Sequence, residues 1–164
     1  MSDTTKADAL CSIYFFWSYH SPAPDVFDFD TATKNVQQVL DYAKQAGLYV
    51  LARPGPYVNA ETNAGGIALW TTDGRGGKYR TSDETYHQAW LPWVKAIGTI
   101  LAKNQITNGG PVIMLQVENE LSETTSLVKY MEQIEASFRN SGIVVPFFHN
   151  EKGMRSISWS TDYS

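Results

Sequence analysis

Residues 111–121, Pro111-Val112-Ile113-Met114-Leu115-Gln116-Val117-Glu118-Asn119-Glu120-Leu121, run an apolar stretch straight into two acids that flank an amide. The short run of β-branched and aliphatic side chains predicts a strand over 111–117. A strand end built as Glu118-Asn119-Glu120 is costly unless its carboxylates face water or a partner. Two readings follow. The acids form a solvated strand end, or a carboxylate stands at the rim of a parallel sheet to do acid-base work.

Working outward from that stretch, the sequence alternates between two periodicities. Upstream, 107–110 is a turn, and 82–104 reads as a helix with Trp90, Trp93, Val94, Ile97 and Leu101 at helical spacing, capped at Ser82 or Asp83. Downstream, 124–140 reads as a helix with Leu127, Met131, Ile134 and Phe138 on one face, closed by Gly142. A strand follows at 143–148, and 156–159 begins a fifth. Nearer the N-terminus, 10–17 (LCSIYFFW) predicts a strand and the two prolines of 21–30 a loop. Residues 31–45 predict a helix carrying Val36, Val39, Leu40 and Ala43, stopped by Gly47, and 48–52 a strand. The glycine-rich stretch 59–78 predicts a long loop.

The order β-α-β-α-β-α-β argues for an α/β fold with a parallel sheet and right-handed crossovers. Ligands meet such sheets at the carboxyl ends of the strands. Just past those ends the sequence places Trp17 and His20, then Arg53, Asn59 and Glu61, then Glu118, Asn119 and Glu120, then Asn150 and Glu151. The reactive side chains gather on one rim.

Composition narrows the classes. The 164 residues suggest one domain, and 43% apolar with 13% aromatic residues is enough for a packed core. A net charge of −4 with no basic run argues against a nucleic-acid partner. The apolar runs are too short for a membrane span, and the polar start lacks a signal-peptide core. Cys11 is alone and expected to act as a small buried hydrophobe. His20, His87 and His149 are too scattered for a metal site, and His20 and His149 read as loop hydrogen-bonding residues.

Three stretches then carry a resemblance. ARPGPYVNAE (52–61), GGIALW (65–70) and TNGGPVIMLQVENE (107–120) together resemble glycoside hydrolase family 35, the β-galactosidases. IYFFWSYHSPAPDVFDFD (13–30) resembles the family's second-strand segment, and KYRTSD (78–83) and IVVPFFHNE (143–151) are similar to the fungal-type branch. The resemblance implies a partial (β/α)8 TIM barrel, covering about strands two to five, over residues 11–164. Residues 1–10 stay unassigned. It implies that Glu120 is the catalytic acid/base and that Asn119 binds the sugar 2-hydroxyl. Tyr14, Asn59, Ala60 and Glu61 would contact the sugar. It implies a β-galactoside substrate, with no cofactor and no metal. Ala68 departs from the proline that many members carry.

Retaining hydrolysis needs two carboxyl groups about 5–5.5 Å apart, one as acid and then base, the other as nucleophile. The acid of such a pair needs surroundings that keep it protonated at working pH. Asn119 can donate to a hydroxyl, and an ionised Glu61 can accept from two. Glu118 shares strand parity with Glu120, but both would approach the sugar from one side. An ion pair between Glu118 and Arg53 is the expected alternative. Without the resemblance, Tyr14 reads as a mid-strand core residue. The family's nucleophile, near strand seven, has no counterpart here, so the chain is expected to need the remainder of the barrel. Alone, it is expected to be inactive and prone to self-association. The alternatives are another retaining β-glycosidase of the same barrel clan, or a non-catalytic sugar-binding remnant. Relatives of this type are commonly secreted, which leaves localisation open.

Overall fold

A computed structural model describes residues 9–59, 61–121 and 127–150 and the backbone of 157–158. Strand β1 spans Ala9–Tyr14, a single helical turn α1 spans Trp17–His20, and helix α2 spans Val36–Gln45. Then come β2 (Leu48–Arg53), the long helix α3 (Glu84–Lys103) and β3 (Val112–Gln116). Helix α4 (Val128–Asn140), β4 (Phe147–Asn150) and the short β5 (Ile157–Ser158) complete the order. The sheet runs β1-β2-β3-β4-β5. The first four strands pair in parallel, Tyr14 opposite Arg53, Ala52 opposite Leu115 and Gln116 opposite Phe148. β5 pairs antiparallel with β4.

The helices form where the sequence places them, with boundaries set by caps. The Asn35 side chain accepts from the Gln38 amide at 2.8 Å, so α2 starts at Val36, after a separate 3-10 turn over Ala32–Lys34. Its buried stripe is Val36, Leu40 and Ala43, while Val39 is exposed. Asp83 rather than Ser82 caps α3, accepting from the Tyr86 amide at 3.0 Å. The α3 stripe Tyr86, Trp90, Trp93, Val94, Ile97 and Leu101 is fully buried, as are Tyr130, Ile134 and Phe138 of α4. Trp93 anchors the β1–α2 connection by stacking near His20 and Phe29, and its Nε1 donates to the Pro54 carbonyl at 2.9 Å. Gln105 ties the end of α3 to the approach to β4. Its Nε2 donates to the carbonyls of Ala102 and Gly142, and its Oε1 accepts from the amides of Val144 and Val145.

Several boundaries differ from the sequence expectation. β1 stops at Tyr14, because the chain turns into α1 where 10–17 predicted continuous strand. Tyr14 is therefore a strand-end residue, not a mid-strand one. β4 begins at Phe147, four residues later than predicted, and contains His149, which is buried in the strand rather than lying in a loop. The glycine-rich loop holds short 3-10 turns over Asn63–Gly66 and Leu69–Thr71. Cys11 is half-buried, its thiol pushed up in pKa by burial. Val50 and Ala52 of β2 are fully buried, whereas Tyr49, Leu51 and Arg53 on the alternate positions are half-buried. In a closed (β/α)8 barrel a parallel strand is covered on both faces. The arrangement is a partial barrel of parallel strands.

Candidate active site

The four parallel strands end at Tyr14, Arg53, Gln116 and Asn150, and the polar residues of the site are built on these ends. Arg53 lies with its guanidinium carbon 4.0 Å from the centre of the Tyr14 ring and donates through Nη2 to Asn119 Oδ1. Burial lowers the Arg53 pKa, with the Tyr14 and Glu120 charges pulling it back up. The same Asn119 oxygen accepts from Gln116 Nε2 at 3.0 Å. Two donors hold the oxygen of the buried Asn119 amide, so its side chain is fixed in one orientation.

Past β3 the backbone leaves extended geometry. Glu118 and Glu120 both take left-handed angles, φ 60° and 48°. On the facing loop after β2, Asn59 and Glu61 do the same, φ 47° and 46°. Non-glycine residues rarely occupy this region, and clusters of them mark sites where surrounding contacts fix the backbone.

These turns separate the two acids. Glu118 is 2% exposed, and each of its oxygens takes two donors. Oε1 accepts from Arg80 Nε at 3.0 Å and the Tyr130 hydroxyl at 3.1 Å. Oε2 accepts from Arg80 Nη2 at 2.8 Å and the Asn119 amide at 2.7 Å. Burial pushes the Glu118 carboxyl above its usual range, and the Arg80, Asn119 and Tyr130 donors pull against it. Burial likewise pulls Arg80 down, yet its bonds and charge contact with Glu118 leave it raised. Glu118 thus pairs with Arg80, not with Arg53 as expected. Arg53 is already committed to Tyr14 and Asn119, and the loop before α3 brings Arg80 in.

Glu120 turns the other way, toward solvent at the rim. Its Oε2 accepts from Asn59 Nδ2 at 3.4 Å, and its backbone amide donates to Asn150 Oδ1 at 3.3 Å. Tyr57 orients Asn59, its hydroxyl donating to Asn59 Oδ1 at 2.9 Å. Of the residues singled out in the sequence, the structure brings together Asn59 and Glu120, and joins Tyr14 to Asn119 through Arg53. Glu61 is exposed two positions beyond Asn59 and makes no hydrogen bond among the described residues. Ala60 lies outside the described residues.

Sequence reasoning missed Gln116 as the hub of this rim. Its Nε2 also reaches the Glu118 carbonyl at 2.7 Å and Asn150 Oδ1 at 2.7 Å, and the residue is 2% exposed. The signal was present: a lone amide closing an otherwise apolar strand needs partners. His20 makes the hydrogen bond expected, with Nδ1 2.8 Å from the Asp28 carbonyl, but it is buried at the end of α1 rather than lying in a loop. Among the described residues no helix is long and apolar enough to cross a membrane, and no group of three acidic, histidine or cysteine side chains is placed to hold a metal ion.

A relative named probable beta-galactosidase C from Sclerotinia sclerotiorum is 65% identical over 157 residues, covering 93% of this chain and 16% of its own length. Proteins of the same name from Aspergillus niger and Penicillium rubens are 61% and 62% identical over the same extent. The chain thus spans about a sixth of the length of these relatives. Among solved structures, an exo-beta-1,4-mannosidase from an Opitutaceae bacterium superposes with a TM-score of 0.65 over 84% of this chain and 24% of its own, at 15% identity. That likeness concerns the fold, a glycosidase barrel. The model of glycosyl hydrolases family 35 matches residues 7–163, so the chain belongs to that family.

Proposed function

We propose that residues 11–164 form the acid/base side of a retaining β-galactosidase, acting on terminal β-galactosyl bonds. The observation that carries this reading is the meeting of Asn59 and Glu120 from two different strand ends, with the neighbouring Asn119 side chain fixed by Arg53 and Gln116. The names of the curated relatives and the family match support the substrate class.

In this mechanism the Glu120 carboxyl gives its proton to the glycosidic oxygen as the bond to the aglycone breaks. A second carboxylate, about 5–5.5 Å away, attacks the anomeric carbon and forms a glycosyl-enzyme. Glu120, now ionised, takes a proton from water, which displaces that carboxylate with overall retention. Asn119 Nδ2 donates to the sugar 2-hydroxyl, a bond that tightens as charge grows at the anomeric carbon. Glu61 accepts from sugar hydroxyls, Ala60 contacts the sugar as the resemblance implies, and the Tyr14 ring offers an apolar face. Glu118 does not fit the nucleophile's part: it is buried and both its oxygens are saturated with donors. The attacking group is proposed to come from polypeptide outside the described residues, so the isolated chain binds poorly and does not turn over.

The test grafts the segment of this chain that matches the Sclerotinia sclerotiorum relative into that protein, in place of its own matched segment. The graft should cleave a nitrophenyl β-galactoside. Glu120→Gln should lower kcat by about 10²–10⁴-fold. Azide should restore turnover by replacing the water step, giving galactosyl azide of retained configuration. A Glu120→Gln graft within about threefold of the parent would remove Glu120 from the chemistry. Hydrolysis by the isolated chain, abolished by Glu120→Gln, would overturn the need for further polypeptide.

A further inference from the structure

Arg80 stands in the loop that leads into α3, at φ 57°, and its guanidinium serves several partners at once. Nε and Nη2 grip the two Glu118 oxygens at 3.0 and 2.8 Å. Nη2 also donates to the Asn119 carbonyl at 2.7 Å. The flat face of the same cation lies 3.7 Å from the centre of the Tyr57 ring. Tyr57 in turn holds Asn59 Oδ1, which directs Asn59 Nδ2 to Glu120. A plain structural ion pair needs Glu118 alone; the contacts to the Asn119 carbonyl and the Tyr57 face are additional. The first leads to Asn119, and the second, through Tyr57, to Asn59.

The geometry points to Arg80 as a positioning residue for the sugar site. It fixes the Asn119 peptide, and so the direction in which the Asn119 amide enters the cleft. The Tyr57 ring against its face helps keep the fork in that place. This role rests on the reading of Asn119 and Glu120 given above. A lysine cannot replace it, because a point charge on a flexible stem cannot hold a carboxylate, a carbonyl and a ring face together.

The experiment compares a nitrophenyl β-galactoside with its 2-deoxy analogue in the graft described above. Arg80→Lys should lower kcat/KM for the galactoside about tenfold and for the 2-deoxy substrate less than about threefold, because only the former uses Asn119. Asn119→Ala should compress the same ratio. An Arg80→Lys graft that loses equally on both substrates would show that Arg80 only supports the fold, and the proposal fails. An Asn119→Ala graft with an unchanged ratio would instead sink the assigned role of Asn119, and the Arg80 role with it. Where Arg80→Lys turns over too slowly, the Kd ratio for galactose and 2-deoxygalactose reads the same discrimination and should narrow. Arg80→Gln, which keeps a planar donor, should retain more of that ratio than Arg80→Lys. The reverse order would count against positioning by the flat fork.

Discussion

Replacing Gln116 by methionine keeps the side chain's length and removes its donors. In the native structure one amide nitrogen faces three acceptors: the Glu118 carbonyl at 2.7 Å, Asn119 Oδ1 at 3.0 Å and Asn150 Oδ1 at 2.7 Å. Two of these keep another donor, Arg53 for Asn119 and the Glu120 amide for Asn150. The Glu118 carbonyl loses its side-chain partner inside a residue that is 2% exposed. One buried orphan costs about 1–3 kcal/mol, and two weakened bonds add roughly 0.5 kcal/mol each, so Gln116→Met should destabilise by about 2–4 kcal/mol. That is a large share of a typical domain's ~5–15 kcal/mol. Urea unfolding followed by tryptophan fluorescence measures it, with an unchanged slope confirming that the loss is one of stability. Exchange of the Glu120 amide hydrogen should also quicken, since Asn150 is freed.

Gln116→Glu sharpens the test, because it aims a carboxylate at three acceptor oxygens. Its charged form is then disfavoured in the folded state, so the folded pKa lies above the unfolded value near 4.3. The stability of this variant is therefore present below that unfolded value and lost as pH rises through the folded one, at about 1.4 kcal/mol per unit of difference. A Gln116→Met loss below about 0.5 kcal/mol would mean that water replaces the amide without cost, and the hub assignment would be wrong.

Two further perturbations report on the frame around the site. Burial among Phe29 and Trp93 lowers the His20 pKa, and the repulsion of Lys34 adds to this, while the bond to the Asp28 carbonyl and the charge of Asp28 oppose it. The stability this neutral ring contributes is present above the unfolded pKa near 6.5 and is lost as pH falls through the lowered folded value. The urea midpoint should therefore drop on acidification below about pH 6.5, and His20→Gln should flatten that limb; an unchanged limb would refute the assignment. At the turn before β3, a Cβ on Gly110 would meet the Asn104 carbonyl oxygen at 2.0 Å, whereas one on Gly109 meets nothing within 4 Å. Gly110→Ala should cost more than about 3 kcal/mol, since backbone must move, and Gly109→Ala only about 1 kcal/mol for its φ of 77°. Equal melting temperatures for the two variants would contradict this.

The parts of this molecule legible in its sequence are those governed by local period and by motif. The stripes of α3 and α4, the run 112–116 and the gathering of polar residues past strand ends needed only alternation and helical spacing. The parity argument failed at the point where it mattered. It kept Glu118 and Glu120 on one side of an extended strand, but β3 ends at Gln116 and both acids turn left-handed. Glu118 then goes inward to Arg80 and Glu120 outward to Asn59. Nothing in the local pattern announces those turns, because each is unfavourable by roughly 1–3 kcal/mol and persists only through long-range contacts. Arg80 lies 38 positions from Glu118, and Asn59 lies 61 from Glu120. Between them runs a loop with no periodicity to read. Two of the strained residues, Asn59 and Glu120, are the ones that meet across the rim. A site held this way is opaque to local reading for the reason that makes it precise: its geometry is set by what converges on it, not by the segment that carries it.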